Sequence, residues 1–348
     1  MSARRERHNI GTVLDTSGTT TTDQPTSLPL DADVIERAAR DLRRYLAPTP
    51  LQASGAFTGK AGCHVYFKIE GIQPTRSFKV RGALHKVLRL HPEERSAGVI
   101  TASAGNHGQG VAYAARVFDI PATVYVPNGA NQLKVEAIKR LGSKVVHHGR
   151  AYNDAYLEAM RERASSGATF VHAFDDPDVA AGQGTLAVEL LEDLPEFDTI
   201  LVPVGGGGLI AGISLYLKQR RPSVRVIGVE PAGADGLARS LEAGRPVSLD
   251  RVDTIADGLA ASGPGALPFA IARNHVDGVI RVEEHQMVRA IRLLFEWEHL
   301  LAEPAGAAAT AALLYHYRPS PKERVVVLIS GANVTDDVMA GALTRHRT

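Results

Sequence analysis

The sequence has a single cysteine, Cys63, among its 348 residues, so no disulfide can form within one chain and a reducing compartment is favoured. The stretch KAGCHVYF reads as a turn that enters a strand, which predicts a structural rather than a nucleophilic cysteine. An excess of charge of one sign is also missing, since 39 Lys and Arg residues stand against 38 Asp and Glu residues. This balance gives no electrostatic basis for binding nucleic acid or a membrane surface.

Long apolar runs are absent as well, and no stretch approaches the roughly 18–20 apolar residues that a membrane-spanning helix needs. Residues 1–30 lack the apolar core of a secretory signal, and Glu6, Asp15 and Asp23 argue against a transit peptide. We therefore expect a disordered N-terminal tail over residues 1–30 and a cytoplasmic protein. No G-x-x-x-x-G-K-[ST] sequence occurs, which argues against a P-loop NTPase.

From residue 31 onwards, short apolar runs rich in β-branched residues alternate with longer segments of helical spacing. The predicted strands are 64–69, 98–101, 122–127, 143–148, 199–204, 224–230 and 324–330. Amphipathic helices are predicted over 131–142, with Leu133 on the apolar face, and over 288–304, where Pro304 ends the helix. The alternation predicts an α/β fold of mostly parallel sheets with helices on both faces. In such folds ligands bind at the loops that follow the carboxyl ends of strands.

Four consecutive glycines at 205–208 follow one of these strands and precede a helix that should begin near Leu209. Glycines let a ligand approach the backbone, and the free N–H groups at a helix start bind anions such as phosphate. The residues from Gly206 to Ala211 also satisfy G-x-G-x-x-A, and Glu230 ends the next strand. That pattern is typical of a dinucleotide site, with the acid holding a ribose hydroxyl. We predict a phosphate site, and an NAD-dependent dehydrogenase is the distant alternative.

The loop TASAGNHGQG (101–110) also joins an apolar strand to a helix. Ser103, Asn106 and His107 bring three polar side chains to this loop, which can present donors to a carboxylate at the positive end of the helix. Ser103 is also a candidate cap of that helix. His107 is consistent either with a general base or with a hydrogen-bonding or stacking role.

Lys79 and Ser330 mark two further loops. Lys79 stands between Phe78 and Val80 in TRSFKVRG, and packing around a lysine removes water from its ammonium and lowers its pKa. A neutral amine is what a Schiff base with a carbonyl compound requires. Ser330 ends the last predicted strand, where its hydroxyl can bond a ring nitrogen, although the stretch also reads as a simple turn. Together the loops predict a small phosphorylated cofactor that meets a small acid.

In this order the loops resemble those of the fold-type II pyridoxal-phosphate enzymes, above all the threonine/serine dehydratase and serine racemase branch. The resemblance is carried by SFKVRGA (77–83), SAGNHGQGVA (103–112), AAGQGTLAVEL (180–190), PVGGGGLIAG (203–212), TIADGLA (254–260) and AEPAGA (302–307). It implies a two-lobed fold like that of the tryptophan synthase β chain. Residues 31–95 and 173–348 would form a large cofactor-binding domain, and residues 96–172 a small mobile domain on the substrate side.

The resemblance also implies roles for individual residues. Lys79 matches the lysine that forms a Schiff base with pyridoxal 5′-phosphate, with Phe78 packed beside it. Asn106 matches the residue that bonds the ring hydroxyl of the cofactor, and Ser330 matches the partner of its pyridine nitrogen. The residues that match the phosphate cup are Gly205, Gly206, Gly207, Gly208 and Leu209. The residues that match the loop for the substrate carboxylate are Ser103, Ala104, Gly105, Asn106 and His107.

The reaction that the resemblance implies is β-elimination of the hydroxyl of L-threonine, L-serine or both, with a 2-oxo acid and ammonia as products and Lys79 taking the α-proton. A neutral Ser330 at the ring nitrogen limits the charge that the ring absorbs, which favours prompt loss of the hydroxyl. Racemases of the branch resemble SSGNH, and Ala104 stands where their second serine acts as a base, so racemisation is not expected. The β-replacement enzymes resemble TSGNTG, and His107 stands in place of that threonine.

Three features depart from the pattern of the branch. Arg76 replaces a glycine common in relatives, and it either lies at the surface or favours an acidic substrate such as β-hydroxyaspartate, the alternative substrate class. Glu230 matches one acid of a divalent-cation site of some relatives. Gly236, however, falls where a second carboxylate is expected and Asp235 is one residue out of register, so we expect no metal site. We also expect no regulatory domain like that of the large biosynthetic threonine dehydratases, and therefore no feedback inhibition by isoleucine.

Two expectations remain at the level of the whole protein. The resemblance implies a homodimer. A non-catalytic sensor of cofactor or amino acid is a third hypothesis, against which the intact Lys79, Asn106 and Ser330 count.

Overall fold

The computed structural model describes residues 29–344, so the predicted tail falls outside the described residues apart from Pro29 and Leu30. Leu30 is 2% exposed and packs in the core. Among the helices of this described part, none combines the length and the apolar character needed to cross a membrane.

Residues 29–344 form ten strands and fourteen α-helices. The strands β1 to β10 are Leu51–Ser54, His64–Ile69, Val99–Ala102, Ala122–Val126, Lys144–His147, Thr169–Phe170, Thr199–Pro203, Arg225–Pro231, Gly278–Val282 and Arg324–Ile329. The helices α1 to α14 are Ala32–Leu42, Gly55–Ala61, Lys79–Leu88, Pro92–Ala97, Asn106–Val117, Gln132–Arg140, Tyr152–Ser166, Pro177–Asp193, Gly208–Arg220, Gly236–Ala243, Ala266–His275, Glu284–Glu298, Pro304–Tyr315 and Asp336–Thr344.

The strands form two sheets. The larger has the order β1-β2-β10-β7-β8-β9 and is parallel except that β1 runs antiparallel to β2. The smaller has the order β5-β4-β3-β6 and is parallel throughout. All strands of the smaller sheet lie between Val99 and Phe170, whereas the larger takes strands from both sides of that segment. The predicted α/β fold of mostly parallel sheets is therefore confirmed.

The larger sheet is buried on both faces, which β10 illustrates. Val326 and Leu328 face one core, which includes residues of α8 and α9. Val325, Val327 and Ile329 face a second core, which includes residues of α12 and α13. A strand covered by helices on both sides has no polar face, and for this reason VVVLI (325–329) is continuously apolar rather than alternating.

Two helix predictions are wrong in detail. Leu133 of α6 is 65% exposed, and the buried residues of that helix are Val135 and Ile138. The helix α12 ends at Glu298, and Pro304 begins α13 instead of ending the preceding helix. Proline fits the first turn of a helix because its missing N–H would have no intrahelical partner there.

Candidate active site

A cavity of about 540 Å³ opens where the starts of α3, α5 and α9 meet the end of β10. Each of these elements contributes lining residues, for example Lys79, Asn106, Gly208 and Ser330. The volume is in the range of pockets that bind small ligands. The cavity brings together all the residues that the sequence proposed for cofactor and substrate: Phe78, Lys79, Ser103, Ala104, Gly105, Asn106, His107, Gly205, Gly206, Gly207, Gly208, Leu209 and Ser330.

Lys79 begins α3 and reaches the cavity with its amine. Its Nζ donates a hydrogen bond to the carbonyl oxygen of Ala173 at 2.9 Å and lies 5.2 Å from the centroid of the Phe78 ring. Desolvation by the surrounding protein lowers the pKa of Lys79 from its ordinary value of 10.5 to about 8. The amine form needed for attack on a carbonyl is therefore much more accessible than in an exposed lysine.

The glycine turn before α9 is shaped by Phe174, a residue that the sequence analysis missed. A Cβ on Gly206 would lie 2.2 Å from the Phe174 ring, and one on Gly208 would lie 2.9 Å from the Cα of Phe174. Gly207 has φ 88°, which favours glycine. The turn thus leaves the first N–H groups of α9 beside the cavity, and these groups have no intrahelical acceptor. A helix start of this kind fits a phosphate.

The loop before α5 carries the predicted polar residues, but Ser103 is not the helix cap. The cap position is taken by Gly105, and the Ser103 Oγ accepts a hydrogen bond from the Gly105 N–H at 3.2 Å. The loop is tight, since a Cβ on Gly108 would lie 2.3 Å from the Ser103 carbonyl oxygen. Ala104 lines the cavity, and its methyl side chain carries no exchangeable proton.

His107 is buried, and its geometry decides between the two roles that the sequence left open. Its Nε2 lies 2.9 Å from the carbonyl oxygen of Val171, so Nε2 carries the proton and donates. Burial, followed by the charge of Lys79, lowers the pKa of His107 to about 3. Such a weak base stays neutral at pH 7, which favours the hydrogen-bonding role over general base catalysis.

Two residues that form hydrogen bonds with Asn106, Glu303 and Asn333, were missed. Glu303 precedes α13, lines the cavity and is 2% exposed, and burial, followed by the charge of Asp257, raises its pKa to about 7. Its Oε1 accepts a hydrogen bond from the Asn106 Nδ2 at 2.6 Å, and the Asn106 Oδ1 accepts one from the Asn333 Nδ2 at 2.7 Å. The signal for Glu303 was present, since it is the only acid in the apolar stretch AEPAGA.

An ion pair at the rim joins the segments that carry the two sheets. Lys134 of α6, which belongs with the smaller sheet, pairs with Asp257 in the segment that follows α10. Both residues line the cavity. The charge of Lys134 is therefore compensated by a carboxylate from the segment that follows α10.

Arg76 and Glu230 do not belong to the cavity. Arg76 is exposed and does not line the cavity. Its φ of 58° lies in the left-handed region that favours glycine. The Glu230 carboxylate is fully buried and accepts hydrogen bonds from the N–H groups of Leu237 and Ala238 at 2.8 and 2.9 Å. The dehydrogenase alternative thus loses the acid that it needs for a ribose hydroxyl.

Asp235 is likewise occupied by protein partners. Its two oxygens pair with Arg239 at 2.7 Å and with Arg281 at 2.9 Å. Across residues 29–344, no group of three His, Cys, Asp or Glu side chains is arranged to hold a metal ion.

Comparison with known proteins decides the family. A family model described as "Pyridoxal-phosphate dependent enzyme" matches residues 42–331. The chain belongs to this family. A protein of Thermotoga maritima named L-threonine ammonia-lyase is 42% identical over 300 residues, which cover 86% of this chain and 75% of that protein. One of Geobacter sulfurreducens with the same name is 44% identical over 301 residues, with the same two coverages of 86% and 75%.

Among solved structures, maize serine racemase superposes with a TM-score of 0.86 at 35% identity, covering 91% of this chain and 97% of that one. The family is pyridoxal-phosphate dependent. The residues of the cavity fit that cofactor: a helix start between glycines suits its phosphate, and a desolvated amine suits its aldehyde.

Proposed function

We propose that the protein is a pyridoxal-phosphate-dependent ammonia-lyase that converts L-threonine, L-serine or both to the 2-oxo acid and ammonia. The observation that carries the proposal is the desolvated Lys79 amine in one cavity with the glycine turn of α9. The two relatives at 42% and 44% identity, both named L-threonine ammonia-lyase, support the same reaction.

The cofactor would be held by residues from both ends of the cavity. Lys79 would bind its aldehyde carbon with Phe78 beside it, and the N–H groups from Gly205 to Leu209 would bind its phosphate. Asn106 would bond the ring hydroxyl, and Ser330, whose hydroxyl is buried at the end of β10, would face the ring nitrogen. A neutral hydroxyl there donates or accepts without placing a charge beside the ring.

When bound, the cofactor would supply an electrophilic carbonyl carbon for the substrate amine and a ring that withdraws electrons from the α-carbon. The Lys79 amine would take the α-proton, since a pKa of about 8 leaves roughly one lysine in ten unprotonated at pH 7. The proton taken by Lys79 would balance the one that the β-hydroxyl needs to leave as water, and hydrolysis would consume one water as it releases ammonia and the 2-oxo acid. The start of α5, with Ser103 and the following N–H groups, would hold the substrate carboxylate.

The cavity lining favours elimination over racemisation and a neutral substrate over an acidic one. Racemisation needs a proton donor on the face opposite Lys79, and Ala104 offers only a methyl group. β-Hydroxyaspartate would need a cation for its second carboxylate. Arg76 lies outside the cavity, and Lys134 is already paired with Asp257.

We also propose the domain division that the resemblance implied, with residues 96–172 as a small mobile domain. Its support is that all strands of the smaller sheet lie between Val99 and Phe170. A homodimer that acts in a reducing, cytoplasmic setting completes the proposal, and the free, buried Cys63 is consistent with that setting. Sedimentation of the purified protein would test the dimer.

The proposed function is tested by the visible spectrum of the purified protein, recorded before and after L-threonine and L-serine are added in turn, with 2-oxo acid assayed in the same sample. We expect a cofactor band that shifts with substrate while oxo acid accumulates. Lys79→Ala should remove both the band and the activity with the fold intact, and Lys60→Ala, an exposed lysine of α2, is the matched control. Absence of any band after addition of pyridoxal phosphate would overturn the proposal.

A further inference from the structure

A backbone carbonyl next to the cavity fixes the orientation of one amide side chain. The carbonyl oxygen of Thr75 can only accept hydrogen bonds, and the Asn333 side chain lies 2.9 Å from it. The atom of Asn333 that faces Thr75 must therefore be the Nδ2 donor. This assignment follows from the acceptor itself and leaves no freedom to exchange the amide oxygen and nitrogen of Asn333.

The orientation of the Asn333 amide determines the orientation of the Asn106 amide. The Asn333 Nδ2 also lies 2.7 Å from the Asn106 side chain, so the atom of Asn106 that faces it must be the Oδ1 acceptor. The Asn106 Nδ2 then points the other way and donates to Glu303 Oε1 at 2.6 Å. Glu303 can accept at Oε1 in either protonation state, because its proton can reside on Oε2, which is buried and has no hydrogen-bond partner among the described residues.

The chain of hydrogen bonds is built into the same backbone that carries Lys79. Ser77 forms a β-bridge with Gly331, and the N–H of Ala332 donates to the carbonyl of Arg76 at 2.8 Å. Gly331 leaves space for these hydrogen bonds, since a Cβ there would lie 2.2 Å from Glu303 Oε1 and 3.4 Å from Asn106 Nδ2. The segment around Lys79 and the segment around Asn333 are thus held in fixed register beside the cavity.

We propose that Asn333 is a positioning residue that sets the orientation of the Asn106 amide, so that Asn106 offers an N–H donor rather than a carbonyl oxygen to the ring hydroxyl of the cofactor. The inference rests on the proposed function, which places that hydroxyl at Asn106. Asn106 Nδ2 has two N–H bonds, and only one of them is directed at Glu303 Oε1. The second is available to a ligand in the cavity that Asn106 lines.

Asn333→Asp is the sharpest test because it removes the donors while keeping the size of the side chain. Even a protonated aspartic acid has one O–H for two acceptors, the Thr75 carbonyl and Asn106 Oδ1. The Asn106 amide would then rotate and present its oxygen where the N–H had been. An N–H that bonds an ionised ring oxygen stabilises it, whereas a carbonyl oxygen repels it.

The experiment compares the full-length holoenzymes of wild type, Asn333→Asp, Glu303→Gln and Asn274→Asp. Asn274 is an exposed residue of α11 and provides the same chemical change as a matched control. Two readouts are used: the dissociation constant of pyridoxal phosphate, and the ratio of the visible bands of the ionised and un-ionised ring hydroxyl at one pH. For Asn333→Asp we expect roughly tenfold weaker binding, the size of one charge-assisted hydrogen bond, and a shift toward the un-ionised band.

Glu303→Gln should leave both readouts within about threefold of wild type, because the glutamine oxygen still accepts from Asn106 Nδ2. If Asn333→Asp matches Asn274→Asp in both readouts while the wild type has its normal band, the positioning role is overturned and the proposed function stands. If Glu303→Gln shifts the bands as strongly as Asn333→Asp, the proposal that Asn333 rather than Glu303 orients the Asn106 amide is wrong. A wild type without any band would instead refute the proposed function.

Discussion

Two groups of buried ionisable side chains include residues of α3, and their polar atoms are hydrogen-bonded to very different extents. The first, which we call the arginine cluster, consists of Arg81, Glu70, Glu189 and Lys68. Arg81 donates to both oxygens of Glu70 at 2.8 Å and to both oxygens of Glu189 at 2.6 and 2.9 Å. Lys68 adds a contact of 2.8 Å to Glu189. Each charge in this cluster has an opposite charge in good geometry.

The second group, the cavity group, consists of Lys79, His107 and Glu303. Lys79 has only the Ala173 carbonyl as its hydrogen-bond acceptor, and His107 Nδ1 and Glu303 Oε2 have no partner within the described residues. The pKa directions differ accordingly. In the arginine cluster burial opposes the charge on Arg81, yet Glu70 and Glu189 outweigh it and raise its pKa.

In the cavity group burial acts with little compensation. It lowers the pKa values of Lys79 and His107 and raises that of Glu303, so each group is pushed toward its neutral form. Burial therefore leaves a side chain charged where its polar atoms are paired with opposite charges, and favours its neutral form where they are not. Paired charges stabilise the packing of α3, and unpaired ones remain available for a ligand.

The largest effect is expected from Arg81→Met, which breaks the arginine cluster. Removal of the guanidinium would deprive the buried carboxylates of Glu70 and Glu189 of their shared cation, while Lys68 would remain beside Glu189. We expect a loss of about 3–5 kcal/mol in the free energy of unfolding, measured with urea, because an uncompensated buried charge is costly. Arg43→Met, which breaks the exposed pair with Glu192, should cost less than about 1 kcal/mol. Similar losses in the two variants would contradict the comparison.

The fold could be predicted from the sequence where burial leaves a local pattern of apolar residues. Seven strands were predicted because each is a run of β-branched apolar residues. The three strands that were missed are β1, β6 and β9. β1 and β9 lie at the edges of the larger sheet, and β6 has only two residues. The helix α13 is buried all round and rich in alanine, so it has no apolar face that a periodicity could reveal.

The site could be predicted only where its chemistry is local. Lys79 and the glycine turn stand in short patterns that have a physical reason of their own. Glu303 and Asn333 belong to the site because they form hydrogen bonds with Asn106, which is 197 and 227 positions away in the chain. No spacing rule links residues at such distances, and the bonds between them depend on how the larger sheet places the ends of its strands. Phe174 is comparable, since its role is visible only against Gly206 and Gly208.

A smaller, pH-dependent effect is expected from Glu303→Gln in the cavity group. The folded protein raises the pKa of Glu303 from 4.5 to about 7, so the folded state is destabilised least when Glu303 is protonated. The wild type should therefore lose stability as the pH rises from 4.5 through 7, and the glutamine variant should lack this loss. Between pH 4.5 and pH 8 the stability of the variant relative to wild type should rise by up to about 3 kcal/mol.

Urea unfolding at several pH values measures this difference directly. Contributions of other titrating groups, such as Glu230, are common to both proteins and cancel in the comparison. A difference that does not change with pH would mean that Glu303 is already ionised throughout this range. Glu303 would then be charged although its Oε2 is unpartnered, and the contrast between the cavity group and the arginine cluster would not hold for Glu303.

The smallest effect is expected from the ion pair at the cavity rim, and its sign is the informative part. The charge of Asp257 raises the pKa of Glu303 and that of Lys134 lowers it. Lys134→Gln should therefore move the pH at which Glu303 loses stability upward, and Asp257→Asn should move it downward, each by less than about one unit through partly solvated protein. The shift is measured as the pH dependence of stability of each variant relative to its double mutant with Glu303→Gln.

Opposite shifts would show that the charge of Glu303 responds to the contact between the two sides of the cavity. The corresponding test in the arginine cluster is Asp193→Asn, which removes a carboxylate 3.3 Å from Lys68. It should leave the charge state of Arg81 unchanged, because four short bonds to two carboxylates already fix it. Shifts of the same sign in both rim variants would assign them to a general change in packing. The rim pair would then be a structural contact, and the titration of Glu303 would depend on its burial alone.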